Sequence, residues 1–310
     1  MAMPFLYQGD TAPLLAKTDP DNASTVRSQI KAQLAEEGAV LFRGLGIQSA
    51  EAFDRFSYQF GYRDFSYQAS LSNAVRINLT PRVFTANEAP KEVEIFLHHE
   101  MAQTPLPPDK LFFCCLSASV SGGATPLCRS DDVARDLREE HPALFKAFDQ
   151  RGLKYTTTMP ADNDHASGQG RSWQSTLSVQ SKAEAEARLT QMGYTFLWQQ
   201  DDSLVTTTPR LPATKQLPNG DVSFFNQVIA VHLGWRNSAS GKPNLTFGDG
   251  SPIEQKALET IVEVASRHTV DLAWEDGDIA LIDNHRMMHG RRPYGGDRPR
   301  QVIVTLALDH

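Results

Sequence analysis

Residues 94–103 read EIFLHHEMAQ, and residues 283–294 read DNHRMMHGRRPY. The first stretch is an apolar run of strand character that ends in His-x-Glu, at His98 and Glu100. Strand side chains alternate faces, so His98 and Glu100 project together and His99 points away. The second stretch supplies a distant histidine, His289, expected in a loop ahead of the final apolar strand. Two histidines and one carboxylate are the facial set that holds a non-haem Fe(II) with coordination positions left open. His-x-Glu alone arises by chance in many chains; the distal histidine gives it meaning. The two stretches lie far apart in the chain, so a single domain has to bring them together.

The pattern outside these stretches is of short strands with helices at the start and in insertions. Helices are expected at 24–37, capped by Ser24, and at 49–60, with a buried strand AVLFRG between them. Strands follow at 93–97 and 111–118, separated by TPLPPDK, whose three prolines forbid regular structure. Residues 130–150 read as two short helices, with Ser130 as an N-cap and Pro142 opening the second. Residues 152–158 are β-like, 159–172 a polar loop, and 181–192 a helix capped by Ser181. Several β-like runs fill 195–235, VSFFNQVIAV among them, and SGKPNLTFGDGSP reads as a loop. A helix at 253–267 and strands at 269–274, 278–283 and 301–308 close the chain. The expected fold is mainly β with helical insertions, a double-stranded β-helix or jelly roll, forming one domain over 1–310 with an insertion at roughly 130–220.

Bulk properties narrow the function. The chain has 310 residues, 40% hydrophobic and 22% charged, with a formal charge of −7 and a pI of about 5.7. No Lys/Arg-rich run supports nucleic-acid binding. No apolar stretch approaches the ~18–20 residues of a membrane span. The start MAMPFLYQGDTAP lacks the features of a signal peptide, so a cytoplasmic protein is expected. Cys114, Cys115 and Cys128 are expected as reduced thiols. His285 and His289 have the i, i+4 spacing of a helical zinc site, but the segment sits between strands and lacks the glutamate beside the first histidine. His285 is expected to be structural, and His141, His165, His232, His268 and His310 show no ligand spacing.

With AVLFRGL, HHEMAQ, GGATPLCRS and the tail DGDIALIDN…HGRRPYGGDRPR in hand, the chain resembles the taurine dioxygenase and clavaminate synthase-like superfamily. HHEMAQ resembles the branch that uses Glu as the carboxylate ligand, which includes the syringomycin-pathway aspartyl hydroxylase. The resemblance implies Fe(II), 2-oxoglutarate and O₂ as cofactor and co-substrates, with 2-oxoglutarate decarboxylated to succinate as an unactivated C–H bond is oxidised. It implies that His98, Glu100 and His289 ligate the iron and that Thr125 and Arg300 hold the distal carboxylate of 2-oxoglutarate. Arg298, two positions from Arg300, could share its face. A guanidinium grips a carboxylate bidentately and a hydroxyl adds a further bond. Past Arg300 the run VIVTL offers only apolar groups and Thr305 where taurine dioxygenase has an arginine for the sulfonate, so taurine is not the expected substrate. An intact Glu100 argues against halogenation. The branch implies a small amino-acid-like substrate, free or tethered to a carrier protein. Arg76, Asn78 and Gln103 could line its pocket or equally serve strand and surface hydrogen bonds. The rival reading is a non-catalytic jelly roll that binds metal or ligand without turnover; such a module has no need of Thr125 and Arg300 beside three metal ligands.

Overall fold

The computed structural model describes residues 5–11, 20–67, 70–86, 89–164, 170–235 and 243–309. His165 and His310 lie outside them. Strands are β1 (Ala39–Phe42), β2 (Arg63–Asp64), β3 (Phe84–Thr85), β4 (Ile95–His98), β5 (Lys110–Ser117), β6 (Thr125–Arg129), β7 (Leu153–Met159), β8 (Thr195–Trp198), β9 (Leu204–Thr207), β10 (Leu245–Phe247), β11 (Thr269–Leu272), β12 (Ile279–Asp283), β13 (Met287–Arg291) and β14 (Gln301–Leu308), with shorter strand pairs in the connections. The helices are α1 (Pro20–Glu37), α2 (Ala50–Tyr58), α3 (Ser130–Glu140), α4 (Pro142–Arg151), α5 (Trp173–Leu177), α6 (Lys182–Gln191), α7 (Val228–Gly234) and α8 (Gln255–Arg267).

Two antiparallel sheets make the jelly roll. The larger runs β1-β12-β5-β14-β2, with β3 also on β14; the smaller runs β11-β6-β13-β4. Alternation along the strands explains their continuous apolar sequence. In β5, Leu111, Phe113 and Cys115 face a core shared with Leu127, Leu272 and Met287 of the smaller sheet. Their neighbours Phe112 and Cys114 face the opposite way, against Ile30, Leu34, Phe53 and Phe56 of α1 and α2. The outer side of the smaller sheet, through Cys128 and Met288, is covered by α3, α4, α7 and α8. All three cysteines are buried and free, and burial pushes the Cys114 thiol up, beyond the usual thiol range. A third sheet runs β10-β7-β9-β8.

Several local expectations need correction. His289 sits within β13 rather than in a loop. Residues 222–231 are not one β-like run: Val222–Ser223 is a short strand, and Val228 opens α7. A continuous apolar run is ambiguous by periodicity alone, and the buried positions Val228–Val231 suit a packed helix equally well. β10 lies inside the stretch read as a loop. Helix α1 begins at Pro20, so Ser24 is interior. Ser130 is the first helical residue rather than the cap, and its hydroxyl donates to the Arg286 carbonyl. Ser181 does cap α6, in a reciprocal capping box with Glu184.

Candidate metal centre and its two clefts

The pairing of β4 with β13 sets His98 directly opposite His289. Their rings lie 4.4 Å apart, centroid to centroid. Gly290 permits this approach, since a Cβ there would meet the Ile95 carbonyl oxygen at 2.3 Å. β4 ends at His98, so Glu100 arrives from the turn that follows and not from strand alternation. Met101, with φ of 56°, sits in the left-handed region as the chain reverses behind Glu100, a conformation costly for a non-glycine residue. The ligand atoms of His98, Glu100 and His289 lie within 4.8 Å of one another. No other such group of three occurs among the described residues.

The surroundings fix each of the three. The His98 Nδ1–H donates to the Phe96 carbonyl at 2.8 Å, which leaves Nε2 as the coordinating lone pair. Burial, with His289 alongside, lowers the pKa of His98 to about 4, so the ring is neutral at neutral pH, as a metal ligand must be. Glu100 is buried, which alone would raise its pKa; the Arg76 charge and the His289 hydrogen bond outweigh this and hold it well below the usual carboxylate range. Arg76 Nη2 donates to Glu100 Oε1 at 2.9 Å, while Oε2 lies 3.5 Å from His289 Nε2. One carboxylate oxygen is thus held by Arg76 and the other is turned to the histidines. A compact cluster of two imidazoles and one carboxylate fits a divalent first-row metal.

Behind the cluster stands Asn284, fully buried. Its Nδ2 donates to the carbonyls of Glu100 (3.0 Å) and Pro108 (2.7 Å), and its Oδ1 accepts from the Glu100 N–H (2.8 Å). His99 turns away as expected: Nδ1 meets the Asn284 carbonyl, and its own carbonyl accepts from Gln227. His285 pairs with Asp109 at 3.0 Å and takes no part in the cluster. Asn284 was missed in the sequence, although it stands in the decisive stretch, because nothing there marks an asparagine that clamps a turn more than 180 residues away.

Two clefts meet at the cluster and share Arg76, Ile95, His98 and Glu100. The first, of about 520 Å³, is lined by Thr125, His289, Arg291 and Arg300. Trp274 Nε1 donates to Thr125 Oγ1 at 2.9 Å, which occupies an acceptor lone pair and leaves the hydroxyl proton to donate into the cleft. Arg300 Nε donates to the Gly123 carbonyl at 3.1 Å; its Nη groups have no hydrogen-bond partner among the described residues. Gly123, with φ of 71°, makes room for it, since a Cβ there would lie 3.0 Å from the arginine stem. Arg291 braces this cleft from behind by donating to the carbonyls of Ala89, Pro90 and Val93. Arg298 lies outside both clefts, half-exposed and paired with Asp276. Trp274 and Arg291 were not singled out in the sequence; the arginine lay hidden in a charged run.

The second cleft, of about 850 Å³, is lined by Gln103, Thr157, Thr206, Gln227, Tyr194 and Trp235, among others. Arg76 and Gln103 therefore face it together. Asn78 does not: it is exposed and lines a separate hollow with Tyr67 and Arg171.

A family model, described as taurine catabolism dioxygenase TauD, TfdA family, matches residues 12–306. A clavaminate synthase-like protein of Arabidopsis thaliana is 34% identical over 300 residues, covering 95% of this chain and 89% of that one. The dapdiamide synthesis protein DdaC of Enterobacter agglomerans is 26% identical over 283 residues, covering 87% and 83%. The solved taurine dioxygenase of Burkholderia xenovorans shares the fold, with a TM-score of 0.56 and 19% identity over 96% of this chain and 84% of that one. The chain belongs to the TauD, TfdA family and is a dioxygenase that uses Fe(II), 2-oxoglutarate and O₂.

Proposed function

We propose that the protein oxidises an unactivated C–H bond of a small amino-acid-like metabolite, with His98, Glu100 and His289 holding the iron and Thr125 and Arg300 holding 2-oxoglutarate. The observation that carries this reading is the meeting of two clefts at one buried cluster. The cleft with Arg300 and Thr125 offers a cation and a hydroxyl donor, the groups a distal carboxylate needs. The wider cleft leaves room for a second molecule beside the same cluster. Iron held by His98, Glu100 and His289 would supply the oxygen-activating chemistry that 2-oxoglutarate drives.

The chain's own residues set position and electrostatics. The Phe96 carbonyl fixes the His98 tautomer, Asn284 fixes the Glu100 backbone, and Arg76 holds one Glu100 oxygen. Preorganised groups of this kind cost no rearrangement when charge shifts during reaction. With Glu100 as a ligand, no place would remain for a halide, so oxygen insertion, desaturation or ring closure is the proposed outcome. The names of the relatives, clavaminate synthase-like and dapdiamide synthesis, favour a small metabolite as substrate. The test is succinate release with Fe(II), ascorbate and 2-oxoglutarate across free and carrier-loaded amino acids, with ¹⁸O₂ and mass spectrometry for the product. A metabolite that gains oxygen or loses hydrogen in step with succinate supports the reading. Tight 2-oxoglutarate binding without succinate from any substrate would return the protein to the non-catalytic alternative.

A further inference from the structure

We propose that Arg76 and Gln103 form a recognition pair for a free α-amino acid, Arg76 taking its carboxylate and Gln103 its amino group. This rests on the substrate cleft assigned above and names which form of substrate enters it. The Arg76 side chain is 6% exposed. Nη2 is held by Glu100, but Nε and Nη1 are buried with no hydrogen-bond partner among the described residues. Its guanidinium lies over the rings of Tyr67 (4.8 Å) and Phe84 (5.3 Å), which limit its movement. Unpaired, charged N–H groups in a protein interior are expensive, and an incoming carboxylate relieves this through a charge-assisted bond to one of them. Gln103 Oε1 is likewise buried without a donor among the described residues. It lines the same cleft as Arg76 and asks for an N–H.

A single cleft thus holds an incompletely satisfied cationic donor and an unsatisfied neutral acceptor. A fatty acid answers the first and leaves the second unmet. An aminoacyl thioester answers the second through its amino group but offers the first only a neutral carbonyl oxygen, a weaker acceptor for a guanidinium than a carboxylate. A free amino acid answers both. Arg76 also ties the substrate to the metal cluster, since the residue that would grip the substrate carboxylate already grips Glu100 through another nitrogen.

The experiment masks the ligand rather than relying on a variant alone. Wild-type protein loaded with redox-inert Mn(II) and 2-oxoglutarate is titrated calorimetrically with the proteinogenic L-amino acids, then with the methyl ester and N-acetyl form of each binder. We expect at least one free amino acid to bind and its ester to bind roughly tenfold to a hundredfold more weakly, the loss of a bond to a charged group. Gln103→Leu weakens binding of the amino acid and leaves its deaminated analogue unaffected. Arg76→Gln abolishes the preference for acid over ester, with Mn(II) affinity measured alongside to separate this from damage at Glu100. Equal binding of acid and ester, or binding of no free amino acid, overturns the pairing. Oxidation of an ester or carrier thioester as efficiently as the acid sinks this inference while leaving the proposed reaction standing. Succinate-coupled turnover confined to substrates with no amino-acid character sinks the proposed substrate class itself.

Discussion

Arg300→Ala isolates the grip on 2-oxoglutarate. The wild-type guanidinium is positioned through Nε by the Gly123 carbonyl, and its two Nη groups have no hydrogen-bond partner among the described residues. The Trp274 bond to Thr125 aims a hydroxyl into the same cleft. A hydrogen bond to a charged group contributes roughly 1.5–3 kcal/mol, and each 1.4 kcal/mol is a factor of about ten in affinity. Removing the guanidinium therefore raises the KM for 2-oxoglutarate by roughly tenfold to a hundredfold. Fe(II) affinity stays close to wild type, because Arg300 bonds to none of the three cluster residues. Thr125→Ala has a smaller effect in the same direction. Arg298→Ala serves as the control: it breaks only a half-exposed pair with Asp276, and exposed pairs contribute little. The assay is initial-rate succinate formation at varied 2-oxoglutarate, with equilibrium Fe(II) binding measured separately. A large KM increase in Arg298→Ala with little change in Arg300→Ala would refute the assignment.

His98→Ala, Glu100→Ala and His289→Ala each remove most Fe(II) binding by equilibrium dialysis, whereas His99→Ala retains it and lowers Tm, since the buried Asn284 carbonyl loses its partner at about 1–3 kcal/mol. Asn284→Ala strands the Glu100 N–H and two buried carbonyls and costs about 3 kcal/mol or more in denaturant unfolding, with weakened Fe(II) binding; an unchanged midpoint would mean that the turn holds itself. Acid destabilises the metal-free protein. Burial lowers His98 to about 4 and His99 to about 3 from 6.5, so the unfolded chain takes up protons first as pH falls below 6.5 and stability drops until the folded values are passed. Glu100, held low in the fold, acts in the same direction, its contribution fading as pH falls below the unfolded carboxylate value. Denaturant midpoints that stay flat between pH 7 and 4 would contradict this. Turnover in high chloride yields no chlorinated product; detecting one would remove the coordination argument built on Glu100.

What the sequence made legible follows from what has a local signature. The run LFFCCLS is apolar on both faces because β5 is packed on both sides, so strand and burial are read together. Ser181 and Glu184 mark the start of α6 by capping chemistry that needs no tertiary context. His98, Glu100, Thr125, His289 and Arg300 were singled out by residue type, spacing and resemblance, and the fold brings all five to adjoining clefts. The errors share a cause. Met287 to Arg291 are all buried, so β13 has no alternation to reveal it, and a histidine between methionines and a glycine looks like a turn. α7 was hidden by the same uniform burial. Glu100 reached the cluster by a turn at Met101 that no periodicity forecasts. The Arg76 bond to Glu100 and the Asn284 clamp are tertiary: each joins segments whose proximity only the sheet register creates.

The most direct test of the account is a crystal structure of the protein with Mn(II) and 2-oxoglutarate, grown without oxygen chemistry to consume the co-substrate. The metal is expected on His98 Nε2, His289 and the Glu100 oxygen not held by Arg76, with the distal carboxylate of 2-oxoglutarate on Arg300 and Thr125. Metal held by His285 or His99, or a distal carboxylate seated against Arg298, would contradict it.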